Sequence, residues 1–192
     1  MALRTNKVPV VRGASIERSL PLVEEILGPW KATLGDDFLG YRNHVYRMIH
    51  FCSSLRALQA EEREKVMIAA CFHDLGIWVV HSLDYIPPSI ELAKEYLDRR
   101  NLAAWAPEIE TMIAMHHKLT QFRESAQPLV EVFRRGDLVD LSTGIIKSGL
   151  PRQYVTDVKN EFPDEGFHPL LARLTGSWFR AHPLSAPPIF RW

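Results

Sequence analysis

The sequence predicts an all-α fold, and two observations lead to that prediction. Apolar residues recur at steps of three and four along almost the whole chain, which is the spacing of one face of a helix. No run of alternating polar and apolar residues is bounded by hairpin turns, so strands are not expected. A chain of 192 residues, 46% of them hydrophobic and 24% charged, has the size and balance of one soluble packed domain. We therefore expect a single domain over residues 1–192.

Seven helices are predicted, and most of them begin at or near a proline, an acidic residue or a turn signal. They cover about 36–58, 61–75, 89–100, 107–119, 128–141, 151–162 and 168–181. Gly76 is expected to end the second helix, because glycine is a common helix terminator. Residues 77–88 interrupt the helical pattern and are predicted to form an irregular link that lines a site.

The C-terminal segment 182–192 is predicted to be an extended arm. It contains three prolines together with Phe190 and Trp192, and proline-rich segments favour extended backbone. The two aromatic side chains are expected either to dock on the body of the protein or to contact a partner.

The charge balance and the distribution of apolar residues exclude several classes of partner. Lys and Arg together number 23 and so do Asp and Glu, so no overall field would attract a nucleic-acid polymer. No stretch of eighteen apolar residues and no signal peptide is recognisable, so membrane partners are not expected. Cys52 and Cys71 lie in apolar helical patterns and are predicted to be buried thiols. A reducing, cytoplasmic location is consistent with this cysteine usage.

Four residues with metal-ligand chemistry occur on three of the predicted helices. His44 lies on the first helix, the adjacent His73 and Asp74 end the second, and Asp137 lies on the fifth. Imidazole nitrogen and carboxylate oxygen together suit a divalent first-row metal ion. An apolar stretch precedes Asp74, and burying this carboxylate without a partner would cost several kcal/mol, so either a metal or an ion pair is required. We favour the metal.

The order and context of these residues resemble the HD superfamily of metal-dependent phosphohydrolases, whose motif is a His, a His-Asp doublet and a distant Asp, all on helices. The matching stretches are 41–47, 70–76 and 133–140. The resemblance implies a helical bundle with a motif core at about 36–141, followed by C-terminal helices and the arm over 151–192. It also implies four metal ligands: His44, His73, Asp74 and Asp137.

The sequence leaves two features of the metal site open. Asp140 lies three residues after Asp137 on the same helical face and competes with it; Gly136 favours Asp137, because the superfamily has a small residue just before the ligand. Asp140 is then either a hydrogen-bond acceptor near the site or a surface charge. Superfamily members with two metals carry extra histidines, and only one such position is matched here, by His116 and His117. The sequence therefore favours one ion over two, of Mn, Fe, Co, Ni, Zn or Mg.

Seven further residues are candidates for substrate binding and proton transfer. Arg47 lies one turn after His44 and could share its helical face, where a guanidinium would hold a substrate anion. Lys118 and Arg134 are the other candidates for offsetting phosphate charge. The candidates for moving protons are His116, His117 and Asp84. His81 is a further candidate in the same link as Asp84.

Two aromatic residues of the predicted link, Trp78 and Tyr85, either close the site or belong to the core. Aromatic side chains at helical spacing are more often core residues, and we favour that interpretation for both.

The expected function is hydrolysis of a phosphoester of a nucleotide or a related small molecule by metal-activated water. A looser likeness of residues 84–97 to a branch related to cyanamide hydratase leaves a second prediction open: a hydratase or non-phosphate hydrolase on the same metal core. A third is a non-catalytic helical interaction module with structural histidines. The oligomeric state also stays open, and a homodimer is compatible with a helical chain and a docked arm.

Overall fold

The computed structural model describes residues 15–124, 126–185 and 187–188. Over this part of the chain the prediction of an all-α fold is confirmed, because helices, turns and loops are present and no strand is. The ten α-helices are α1 Pro21–Leu27, α2 Lys31–Leu34, α3 Phe38–Leu55, α4 Ala60–Phe72, α5 Gly76–Val80, α6 Ile86–Arg99, α7 Ala106–Met115, α8 Pro128–Leu141, α9 Arg152–Glu161 and α10 Phe167–Ala181. Three short 3-10 turns lie at Gly28–Trp30, Gly35–Asp37 and Ala103–Trp105.

Helix α3 is the central element of the fold. Fourteen of its eighteen residues are buried, and a helix that is buried on all sides must be covered by other elements. Helices α4, α8, α9 and α10 all pack against it. Its polar residues are therefore held inside the protein, where each of them needs a partner.

Close packing of α8 on α3 depends on Gly136. A Cβ atom at this position would lie 2.4 Å from the Sγ atom of Cys52 and 3.3 Å from the carbonyl oxygen of Met48. Because no side chain separates the two backbones at this point, Asp137 is brought against the helix that carries His44.

The second predicted helix ends earlier than expected. Helix α4 stops at Phe72, a turn follows, and Gly76 begins α5 instead of ending α4. Gly76 is needed for a different reason, because a Cβ atom at this position would lie 2.4 Å from the carbonyl oxygen of Tyr85. The main-chain N–H of Gly76 also donates to Ser89 Oγ at 3.0 Å. The prediction was wrong because the constraint on Gly76 is tertiary contact with the start of α6, which local sequence does not reveal.

The link at 77–88 is less irregular than predicted. Residues up to Val80 are helical, His81 adopts a left-handed backbone conformation with φ 49°, and α6 begins at Ile86.

Helix α1 was not predicted, since only three of its seven residues are buried and so short an element carries little periodicity.

Several smaller expectations have clear outcomes. Cys52 and Cys71 are free buried thiols, as predicted. None of the helices in the described ranges combines the length and apolarity that crossing a membrane would need. The aromatic residues of the predicted C-terminal arm, Phe190 and Trp192, lie outside the described residues.

Replacing Gly136 by Ala is expected to lower the free energy of unfolding by about 1–3 kcal/mol, since the new methyl group would overlap Cys52 Sγ. In the Cys52→Ala background the sulfur is absent, so the same replacement should cost clearly less. Urea denaturation of the wild type, both single variants and the double variant measures this coupling. Additive losses in the double variant would show that the Cys52 sulfur is not what requires glycine at this position.

Candidate metal centre

Six ionisable side chains from four segments meet at the centre of the protein. Helix α3 supplies one of them, the turn after α4 supplies two, the turn after α7 supplies two and α8 supplies one. All six are at most 9% exposed. They are His44, His73, Asp74, His116, His117 and Asp137.

The four residues predicted as metal ligands lie within reach of one another. The Nε2 atoms of His44 and His73 are 3.0 Å apart. Asp74 Oδ2 lies 3.3 Å from His73 Nε2 and 3.8 Å from His44 Nε2. Asp137 Oδ1 lies 3.8 Å from His44 Nε2 and 3.9 Å from His73 Nε2. The convergence expected from the sequence is thus present in the structure.

The two histidines after α7 extend this cluster. His116 Nε2 lies 3.3 Å from Asp74 Oδ1, and His117 Nδ1 lies 3.8 Å from Asp137 Oδ2. Three overlapping sets of three residues each place their ligand atoms within 4.8 Å of one another. These sets are His44, His73 and Asp137; His73, Asp74 and His116; and His116, His117 and Asp137. The sequence placed both histidines near the site but did not reveal that they complete sets of their own.

Main-chain carbonyl groups determine which nitrogen of two of the histidines carries the proton. His73 Nδ1 lies 2.9 Å from the carbonyl oxygen of Ala70, and His116 Nδ1 lies 2.6 Å from that of Ile113. A carbonyl oxygen only accepts hydrogen bonds, so both rings must donate from Nδ1. In each neutral ring the lone pair is then on Nε2, which faces the cluster.

The carboxylate of Asp140 lies against Nδ1 of His44. Its Oδ2 atom lies 2.7 Å from His44 Nδ1, and it is fully buried. The interpretation of Asp140 as a surface charge is therefore wrong, and it acts as a hydrogen-bond acceptor beside the site. Burial opposes its ionisation, but hydrogen bonds from His44 and Arg47 outweigh this and hold its pKa below the usual range.

The cluster has features that a cation would satisfy. When the His44 and His73 rings are both neutral, the lone pairs on their Nε2 atoms face each other across 3.0 Å, and two acceptors at this distance repel each other unless a positive charge lies nearby. Asp74 Oδ1 and Asp137 Oδ2 are buried and have no hydrogen-bond partner, which is costly for carboxylate oxygens. Imidazole nitrogens and carboxylate oxygens are ligands for divalent first-row metals, so the residues fit such an ion.

Burial shifts the pKa values of the cluster in opposite directions. It lowers the pKa of His44 to about 4 and raises that of Asp137 to about 8, where the neighbouring charge of Asp74 adds to the effect. Burial also opposes ionisation of Asp74, but the positive charge and the hydrogen bonds that His73 and His116 supply when their rings are protonated outweigh it and hold the pKa of Asp74 well below the usual range. The metal-free site at neutral pH therefore has neutral His44, ionised Asp74 and protonated Asp137.

Arg47 does not occupy the substrate-binding position predicted for it. It is 1% exposed, and its guanidinium donates to the Asp140 carboxylate and to the carbonyl oxygens of Phe162 and Pro163. The prediction was wrong because a residue at i+3 shares only the general direction of His44, and here the long side chain turns toward the segment after α9.

Arg134 is also engaged within the protein, against expectation. Its guanidinium donates to both carboxylate oxygens of Glu131 at 2.8 Å and to the carbonyl oxygen of Lys118 at 3.0 Å. Three of the five N–H groups of the guanidinium are therefore engaged within the protein. Lys118 itself follows the two cluster histidines and is half-buried, and its role in substrate binding stays a prediction.

Asp84 was predicted to move protons, but the structure does not bring it into the buried cluster. Asp84 is exposed in the turn between α5 and α6, and its main-chain N–H donates to Ser82 Oγ. His81 is exposed as well. Both residues lie in the short turn that connects two helices, and this turn directs them to solvent.

Tyr85 takes the place near the cluster that was expected of Asp84. Its hydroxyl lies 2.9 Å from His117 Nε2 and 3.5 Å from His116 Nε2, and it is 1% exposed. Burial and the charge of Asp74 raise its pKa well above the usual range. The sequence signal was its position immediately before a Pro-initiated helix. Trp78 and Tyr85 both belong to the hydrophobic core, as predicted, and Trp78 Nε1 donates to Asp37 at 2.9 Å.

Comparisons of the chain with known protein families, with curated proteins and with solved structures find no match. The resemblance to the HD superfamily therefore rests on the motif residues alone, and the function has to be inferred from the geometry of the cluster.

Manganese binding is expected to strengthen as the pH rises from 6 to 9. Below a pKa of about 8 Asp137 carries a proton, which must leave before the carboxylate can bind an ion. His44, with a pKa of about 4, stays neutral over this range. Calorimetric titration with Mn²⁺ at pH 7 in buffers of different ionisation enthalpy should show release of about one proton per ion.

Asp84→Asn is the matched control for this titration, because it removes an exposed carboxylate away from the cluster and should leave both affinity and proton release unchanged. Binding of Mn²⁺ that is independent of pH, or that releases no proton at pH 7, would contradict a role for Asp137 as a ligand.

Proposed function

We propose that the protein is a divalent-metal-dependent hydrolase of the HD superfamily, acting on a phosphoester of a nucleotide or a related small molecule. The observation that supports it most is the convergence of imidazole lone pairs and unpartnered carboxylate oxygens in a buried cluster. A histidine that serves packing alone has no need to face another acceptor, so this arrangement speaks against a purely structural role and against an interaction module without metal.

Four residues would hold the ion: His44, His73, Asp74 and Asp137. His116 and His117 extend the donor set, so the cluster offers ligands for one ion or for two, and a single ion remains our expectation. A bound divalent ion lowers the pKa of water and polarises the bond under attack. The helices that bury the cluster keep bulk water away from it, and electrostatic interactions are stronger in such a site.

His117 and Tyr85 are the residues placed to hold or move a proton. The Tyr85 hydroxyl and His117 Nε2 are 2.9 Å apart, so one donates to the other. Because the pKa of Tyr85 is raised well above its usual range, the phenol keeps its proton at neutral pH and can act as a donor. His116 lies next to the same hydroxyl and shares this environment.

A hydratase or hydrolase of a small neutral molecule is the second candidate, and one observation favours it. Arg47 and Arg134, the two arginines expected to bind phosphate, are engaged with Asp140 and Glu131. A phosphate would then depend on Lys118 and the metal, whereas a neutral substrate such as a small nitrile needs no cation to bind it.

Turnover of a phosphomonoester panel with added Mn²⁺, Co²⁺, Ni²⁺ or Mg²⁺ tests the first candidate. Activity should depend on the metal and be lost in Asp74→Ala, with Asp84→Asn as a control that keeps it. A metal-loaded protein that is inert on every phosphoester but hydrates cyanamide or a small nitrile would establish the second candidate. Failure to bind any of these metals would remove both.

Tyr85→Phe is expected to lower turnover about 10²-fold, since a positioned proton donor contributes about 10²–10⁴-fold to rate. The ring still fills its place in the core, so metal content and thermal stability should stay close to those of the wild type. Steady-state kinetics together with metal analysis measure both. Unchanged turnover in this variant would show that the phenol takes no part in proton transfer.

A further inference from the structure

We propose that Asp140 and Arg47 are positioning residues that fix the tautomer and orientation of His44. Asp140 would act on the site through His44, and Arg47 would act through Asp140. The proposal concerns residues that touch neither substrate nor the reacting atoms, and its consequence for metal binding rests on the function proposed above.

The Asp140 carboxylate lies between the two side chains it would connect. Its Oδ2 atom accepts from His44 Nδ1 at 2.7 Å and from Arg47 Nη2 at 2.8 Å, and its Oδ1 atom accepts from Arg47 Nε at 2.5 Å. All three side chains are at most 2% exposed. The bidentate contact fixes the carboxylate plane, and His44 therefore meets an acceptor whose direction is set.

Arg47 is itself anchored from the opposite side. Its Nη1 atom donates to the carbonyl oxygens of Phe162 and Pro163 at 3.0 and 3.2 Å, which belong to the segment between α9 and α10. His168 on α10 donates from Nε2 to the main-chain carbonyl oxygen of Asp140 at 2.9 Å, since a carbonyl can only accept. Groups from α3 and α10 thus hold Asp140 in place, and the segment between α9 and α10 holds Arg47 against it.

The chemical consequence is a single tautomer for His44. A carboxylate paired with arginine has no proton to give, so His44 must donate from Nδ1 and keep its lone pair on Nε2. That atom lies 3.0 Å from His73 Nε2, inside the cluster. Metal-binding histidines commonly donate their other N–H to such an acceptor, and losing it weakens metal affinity about 10–100-fold.

The tautomer of His44 can be read in the full-length protein without any metal. Long-range ¹H–¹⁵N correlation spectra of the imidazoles should show the wild-type His44 ring protonated on Nδ1 alone. Asp140→Asn keeps the size of the side chain but adds an amide that can donate to Nδ1, so the spectra should show a shifted tautomer population. An unchanged Nδ1–H tautomer in this variant would overturn the proposal.

Mn²⁺ affinity provides the second readout, with far-UV circular dichroism to confirm folding. Asp140→Asn should bind Mn²⁺ about 10–100-fold more weakly than the wild type. Arg47→Lys keeps the charge but cannot form the bidentate contact, so it should weaken binding in the same direction, and it serves as the test if the Asn variant does not fold. Wild-type affinity in both variants would contradict the proposal.

Asp157→Asn is the matched control, because Asp157 is an exposed carboxylate on α9 that accepts from Gln153 Nε2 at 2.8 Å. It should alter neither the His44 tautomer nor Mn²⁺ affinity. The two readouts separate the proposals: if the wild type binds no Mn²⁺, the metal-dependent function fails, while the tautomer spectra still decide the positioning role. An effect of Asp157→Asn equal to that of Asp140→Asn would overturn the specific role of Asp140.

Discussion

The arrangement of this protein depends on the electrostatic problem at its centre. Imidazole lone pairs from α3 and from the turns after α4 and α7 face two carboxylates in a region that the surrounding helices close to water. In such a region, acceptors that meet without a donor raise the energy of the folded state. A protonated Asp137 relieves part of this in the metal-free protein, since burial raises its pKa to about 8. A divalent cation would relieve all of it, which is why we treat the cluster as a candidate metal centre.

These groups are brought together because the other helices pack around one central helix. Helix α3 is buried along most of its length, and Gly136 allows α8 to approach it closely enough for a Cβ atom to be excluded. In the same packing, the two buried arginines form ion pairs inside the protein. Arg47 balances the charge of Asp140, and Arg134 balances that of Glu131. These guanidinium groups therefore stabilise the protein around the site instead of facing a substrate. This distribution of charge is the main reason to keep a neutral substrate in view beside a phosphoester.

The roles of individual residues followed from the sequence only where chemistry and spacing sufficed. Residues His44, Asp74 and Asp137 were placed together because their types suit one ion. The sequence favoured Asp84 over Tyr85 for proton transfer. In the structure the Asp84 carboxylate is exposed to solvent, whereas the Tyr85 hydroxyl reaches the histidines. A turn of a few residues can direct neighbouring side chains to opposite sides, and its direction is decided by how α5 and α6 pack. Spacing along the chain contains no such information.

Sequence alone determined the helical class, the bounds of α8, the burial of the two thiols and the types of residue that gather at the centre, because these follow from periodicity and from side-chain chemistry. Tertiary structure alone decided that α4 ends at Phe72, that Arg47 turns away from the cluster and that Asp140 is a buried acceptor. Each of these depends on contacts between segments far apart in the chain, such as Arg47 with the carbonyl oxygen of Phe162. Local propensity cannot encode them, since the partner is fixed only when the helices pack.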